Sequence, residues 1–257
     1  MSAYVVTYTT NTSMLLLLRL SLHLARTPLV VLPRNFAHAK SHWQKVYALT
    51  QLRHRFLATD VVLFADGHDT MVQQSPQTIH ASYLAYVNEH GGNADTAIIF
   101  NGIGTRCFPY DLQRRAWPSN LLWHLNGTAF EGADACARFA TLFPGPNHAL
   151  NSGLVLGRAG VIQRFMERVW SLRLKPFYTD QSTVIAVAHV FGTVFVDSNN
   201  TLFARPWRHT FCDSWRAFPH RSVVAYHLTG LPTLRSRCWQ LARASRAQLP
   251  FFPGTHT

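Results

Sequence analysis

Lysine is nearly missing from this chain, and acids are scarce. Only Lys40, Lys45 and Lys175 are lysines, so the excess of Lys+Arg 24 over Asp+Glu 12, a net charge of +12, is carried by arginine. The arginines are scattered from Arg19 to Arg246, with no run longer than the pair Arg114-Arg115. Such dispersion lacks the patch or stripe of a dedicated nucleic-acid binder, although a basic surface still favours anionic partners: nucleotides, nucleic acid or acidic membranes. The four cysteines, Cys107, Cys136, Cys212 and Cys238, have no C-x-x-C spacing, which argues against a zinc site. They are also too few and too spread out for the disulfide framework of a small protein. No apolar run is long enough to span a membrane. The segment "MLLLLRLSLHLA" is short, is broken by Arg19 and His23, and follows the strand-like "YVVTYTT", so it reads as a buried helix. No signal peptide is visible, and the compartment stays open. With 47% hydrophobic and 14% charged residues among 257, disorder is excluded and one α/β domain with a substantial core is expected.

Scarcity makes the remaining acids informative. Asp66, Asp69, Asp180 and Asp197 each sit at the end of an apolar segment. In "TDVVLFADGHDT", residues 59–70, the run Val61-Val62-Leu63-Phe64 is too short for a helix and β-branched enough for a buried strand. Two carboxylates three residues apart follow it, at the strand edge where open α/β sheets bind ligands. Such a pair can hold a divalent cation and through it a phosphate; equally, it can end a strand and cap a turn.

The N-terminal half alternates strand and helix signals: strands at "AYVVTYTT", "PLVVLP", "VVLFA" and "TAIIFN", and helices over residues 13–25 and 42–58. Ser75-Pro76 predicts an N-cap and first-turn proline for a helix running to about His90, stopped by Gly91-Gly92. Alternation of this kind predicts a parallel sheet with crossover helices. Residues 102–148 read as irregular. Beyond them come a strand in "ALNSGLVLGRAG", a helix from Val161 to Leu172, and a helix opened by Thr179 in "TDQSTVIAVAHVF". A hairpin is predicted in "GTVFVDSNNTLFA", organised by Asp197, and a late strand ends at His227.

Taken in order, "VVTYTT", "WQKV", "VLFADGHDT", "LNSGLVLG", "TDQ" and "HLTG" resemble the glycosyltransferase domain of the procollagen lysine hydroxylase/glycosyltransferase family. The likeness covers roughly residues 3–235, leaving 236–257 as a C-terminal helix and tail. It implies a GT-A fold: a nucleotide-binding mixed sheet flanked by helices in a single domain. It further implies transfer of glucose or galactose from a UDP-hexose to a hydroxyl of a protein or other macromolecule. Asp66, Asp69 and His227 would hold Mn²⁺ (or Mg²⁺) on the diphosphate. Lys45 would meet a phosphate or the nucleotide, and Thr7 and Thr9 the nucleoside. Asn151, Ser152 and Gly153 would line the sugar, with Gly230 completing the nucleotide-sugar site. Asp180 and Gln181 would act at the donor sugar, in the catalytic position. The chain departs from the family at His68, where the family has tyrosine, at Thr229 for asparagine, at Leu234 for lysine, and in keeping a single carboxylate at "TDQ". His68 can still stack on uracil. Family members work in the endoplasmic reticulum. The basic charge keeps a modified nucleic-acid base or a glycan open as acceptor, and a catalytically inactive sugar-nucleotide-binding module is the alternative from another class.

Overall fold

The computed structural model describes residues 3–9, 15–32, 41–104, 122–125, 128–173, 180–191, 193–206, 223–228 and 232–246. Thr179, Thr229 and Gly230 lie outside them, as does the side chain of Leu234.

A six-stranded sheet has the order β2-β1-β3-β8-β5-β9, formed by β1 (Ala3–Thr7), β2 (Leu29–Val31), β3 (Val61–Ala65), β5 (Ile98–Gly102), β8 (Leu150–Arg158) and β9 (Val194–Asp197). β1 pairs in parallel with β2 and β3, and β5 with β9, whereas β8 is antiparallel to both β3 and β5. The sheet is therefore mixed, not parallel throughout. Because β8 runs against its neighbours, its first residues, the "LNSG" segment, arrive at the same edge as the last residues of β3 and β5. A three-stranded sheet, β10 (Phe203–Ala204), β11 (Ala225–His227) and β4 (Thr70–Val72), stands beside it.

Helices cover both faces. On one lie α2 (Ser41–Thr50), α4 (Gly132–Leu142), α5 (Ala159–Ser171) and α6 (Asp180–Phe191). Val161, Ile162, Phe165, Met166 and Val169 form the buried stripe of α5. At about 2 kcal/mol for each apolar side chain removed from water, that stripe contributes on the order of 10 kcal/mol before chain entropy is charged against it. α6 is buried from Asp180 through Ala188, as expected of a helix apolar on every side, and this carries the acid at its N-terminus inside the protein. The other face packs on α3 (Pro76–Glu89), whose Ser75 hydroxyl caps Thr78 N and whose end is followed by Gly91 at φ 66. α1 (Leu16–Leu24) buries Leu17 and Leu20 against Met71, Tyr226, and Cys238 and Ala242 of α7 (Pro232–Arg246). Residues 236–246, expected as a helix outside the family likeness, are thus built into the fold. Among the described residues no helix is long and apolar enough to cross a membrane. Cys136 on α4 and Cys238 on α7 each take part in a disulfide.

Other sequence expectations change as well. The 42–58 helix stops at Thr50: Thr50 Oγ1 donates to the Tyr47 carbonyl, and Arg53 N donates to Gln163 Oε1 at 2.9 Å instead of continuing the ladder. A single 3₁₀ turn, Leu52–His54, follows, leaving Leu57 71% exposed. The 102–148 stretch is not wholly irregular, for it holds β6 (Leu122–Leu125) paired antiparallel with β7 (Thr128–Glu131), and then α4. β4 went unpredicted because it is only three residues long. Residues 193–204 form no hairpin: β9 and β10 belong to different sheets. The buried Asp197 carboxylate accepts from Thr201, Leu202 and Phe203 N–H groups, turning the chain out of the main sheet.

Candidate active site at the strand edge

β3 ends at Ala65, and Asp66 N donates to the Gly153 carbonyl at 2.9 Å, fastening the following loop to β8. The loop turns tightly at Gly67, where a Cβ would lie 2.3 Å from Leu15 Cδ2. The Thr70 hydroxyl donates back to the Asp66 carbonyl. β4 then pairs antiparallel with β11 in a register that sets Thr70 opposite His227, and Leu228 N donates to the Asp69 carbonyl at 2.7 Å. Two sheets thereby bring together residues distant in sequence: one ligand atom from each of Asp66, Asp69 and His227 lies within 4.8 Å of the others.

This trio fits a divalent cation. Asp69 and His227 are buried, at 4% and 2% exposure. Among the described residues Asp69 Oδ1 has no hydrogen-bond partner, and His227 Nε2, at 3.5 Å, is too distant to provide a good one. An unpartnered buried carboxylate oxygen is costly unless a cation satisfies it. Two carboxylates and an imidazole are donors suited to Mn²⁺ or Mg²⁺. Burial pushes the Asp69 carboxyl up, but His227, His68 and Arg235 outweigh it and hold the group below its usual range. Asp66 is shifted upward, by burial first and then by the like charge of Asp69, with Lys45 pulling the other way.

Lys45, on α2, joins this trio to the start of α6. Its Nζ stands 3.7 Å from Asp66 Oδ2 and 3.3 Å from Asp180 Oδ2, and donates to Ser152 Oγ at 3.1 Å. Burial lowers the ammonium's affinity for its proton, yet Asp66 and Asp180 more than offset that and hold it above its ordinary value. Gln181 lies behind: its Oε1 accepts from Ser152 N and Oγ at 3.0 and 2.9 Å, and its Nε2 donates to the Leu150 carbonyl at 2.7 Å. Both halves of the Gln181 amide are thus engaged by β8.

The remaining expected residues take several positions. The Thr7 hydroxyl is fully buried and donates to the Ala65 carbonyl at 2.7 Å, clamping β1 to the end of β3. Thr9 is buried just beyond β1. Asn151 Oδ1 accepts from Gly153 N at 2.9 Å. At Gly153 the close approach is made by the His227 ring, whose Cε1 would lie 2.2 Å from an added Cβ. The side chain of His68 is 42% exposed, with Nε2 3.5 Å from Asp69 Oδ2.

Three residues at the site were not anticipated. Asn101 is 2% exposed, and its Nδ2 lies 2.9 Å from His227 Nδ1. Its signal was readable, since it ends the apolar run "TAIIFN" much as Asp66 ends its own. Trp239 Nε1 donates to the His68 carbonyl at 3.1 Å, tying α7 to the loop between the two aspartates. Arg235, next to Leu234, directs positive charge at Asp69. No local sequence pattern marks Trp239.

The chain matches no protein-family model and no curated protein. Among solved structures, a glycosyltransferase involved in the glycosylation of the major capsid of PBCV-1 aligns with a TM-score of 0.53 at 12% identity, covering 95% of this chain and 100% of that one. The bifunctional glycosyltransferase WbbM, in its apo form, gives a TM-score of 0.47 at 10% identity, over 89% of this chain and 46% of that chain. The first likeness shows a fold shared with a glycosyltransferase. At these identities it reaches no further than the fold.

Proposed function

We propose that this chain is a metal-dependent hexosyltransferase that moves glucose or galactose from a UDP-sugar to a hydroxyl of a protein (hydroxylysine-like) or another macromolecular acceptor. One observation carries the reading: the Asp66–Asp69–His227 cluster, with its unpartnered Asp69 oxygen, is joined through Lys45 to Asp180. Support also comes from the order of motifs resembling the procollagen lysine glycosyltransferase domain, and from a fold shared with a glycosyltransferase. The macromolecular acceptor draws support from the capsid glycosylation in which the PBCV-1 enzyme is involved.

A Mn²⁺ or Mg²⁺ ion held by Asp66, Asp69 and His227 would neutralise the charge that gathers on the departing diphosphate. Lys45 supplies a second positive charge beside it, as a point charge on a flexible stem suited to phosphate. In this reading Asp180 is the acid that would face the donor sugar, holding its hydroxyls and stabilising positive charge developing at the sugar carbon. Its place in the first turn of α6 is compatible with that role, because the helix dipole favours a carboxylate there. Ser152 and Gln181 keep Lys45 aimed between the two acids. His68, partly exposed beside Asp69, would stack on the base.

A donor screen tests the reading: purified protein, Mn²⁺ and each UDP-sugar in turn, monitoring UDP release, with EDTA as control. UDP release from UDP-glucose or UDP-galactose that stops in EDTA is expected. Metal-dependent UDP binding with no turnover on any donor would indicate a binding module instead. UDP affinity indifferent to Mn²⁺ would sink the metal assignment.

A further inference from the structure

The His227 imidazole is boxed in by three strands. Its Nε2 faces Asp69 Oδ1 at 3.5 Å, and its flank lies so close to Gly153 that an added Cβ would stand 2.6 Å from Nε2. Its Nδ1 meets Asn101 Nδ2 at 2.9 Å, in a contact buried on both sides. Asn101 is directed there by an irregularity in the sheet: Phe100 pairs with Val155 but Asn101 pairs with Asn151, so the register between β5 and β8 shifts at this point. A bulge beside a site commonly re-aims one side chain, and here the side chain is a neutral amide. An amide is the group that suits this contact. Turned about its last bond, it presents either an N–H or a carbonyl oxygen to Nδ1. When Nε2 gives its lone pair to a cation, the ring's proton sits on Nδ1 and needs an acceptor.

We infer that Asn101 is a positioning residue that holds the His227 ring for metal binding, its carbonyl oxygen accepting from Nδ1–H when Nε2 is a ligand. The inference rests on the metal-dependent reading above. Calorimetric titration of the full chain with Mn²⁺ in the presence of UDP tests it. Asn101→Leu keeps the size and removes the hydrogen bond, and should weaken Mn²⁺ binding about 10- to 100-fold. Its melting temperature in EDTA should stay near that of the wild type. Asn101→Asp, which restores an acceptor for Nδ1–H, should recover most of the affinity. A folded Asn101→Leu variant that binds Mn²⁺ like the wild type, while His227→Ala does not, overturns the inference and leaves the metal site standing. If His227→Ala also binds like the wild type, the metal reading has failed, and this inference with it. Should Asn101→Leu not fold, nitrogen NMR of histidine-labelled wild type with Mg²⁺ and UDP decides: a proton on His227 Nδ1 is expected, and one on Nε2 overturns the proposal.

Discussion

Replacing Lys45 by methionine should push two properties of the protein in opposite directions. The ammonium lies 3.3 Å from Asp180 Oδ2 and 3.7 Å from Asp66 Oδ2. At an effective dielectric constant of about 20, each pairing has a gross attraction of about 4–5 kcal/mol. Desolvating the charges cancels much of this, but removing one partner leaves the others buried without compensation, which costs about 3–5 kcal/mol where burial is complete. The Asp66 side chain keeps 22% of its exposure, so water recovers part. A stability loss of about 2–3 kcal/mol in EDTA is expected, readable by urea denaturation.

Mn²⁺ binding should move the other way. In the free protein, Lys45 competes with any cation for Asp66, and its own charge repels a metal arriving alone. Lys45→Met should therefore bind Mn²⁺ without nucleotide at least about tenfold more tightly, equivalent to about 1.4 kcal/mol, while binding UDP in saturating Mn²⁺ more weakly. Calorimetry on one preparation yields both affinities. A variant as stable as the wild type, with unchanged Mn²⁺ affinity, would show that the ion pairs are idle and refute the coupling between α2, the Asp66–Asp69–His227 cluster and α6.

Two further substitutions probe the site and a third probes a buried turn outside it. Asp180→Asn should leave UDP affinity nearly intact while slowing UDP-sugar hydrolysis by about a hundredfold or more; unchanged hydrolysis would remove Asp180 from the chemistry. Gly153→Ala drives a methyl group into the His227 ring, so calorimetry should show Mn²⁺ affinity largely lost, at a cost of about 1–3 kcal/mol in stability by denaturation. Asp197→Ala should destabilise by about 3 kcal/mol or more in denaturant, because three N–H groups lose their acceptor at a buried turn, without changing metal affinity per folded molecule.

What could be read along the chain depended on how far each cause acts. Ser75-Pro76 and Gly91 specify α3 within a few residues, and the β-branched run Val61–Phe64 gives β3, because caps and burial patterns are local. The direction of β8 is not local. Its pattern fits either orientation, and only its place between β3 and β5 makes it antiparallel. Residues 194–204 misled because "DSNN" is good turn chemistry. Whether the strands it joins pair with one another depends on neighbours outside the segment: β5 takes β9, and β11 takes β10.

The same distinction separates the residues of the site from their partnerships. Asp66, Asp69, His227 and Lys45 stood out because acids and lysines are rare here and the motif order is specific. What makes them a site is the joining of two sheets, which no periodicity records. Gly153 illustrates the difference. The family likeness set Gly153 at the sugar; in the fold the group pressed against its backbone is the His227 ring, so a glycine is needed there whatever else it meets. Asn101 meets the same ring at Nδ1. Side chains on either of these two neighbours therefore bear on where Nε2 lies, and any cation held there would depend on Gly153 and Asn101 as well as on the three residues able to hold it.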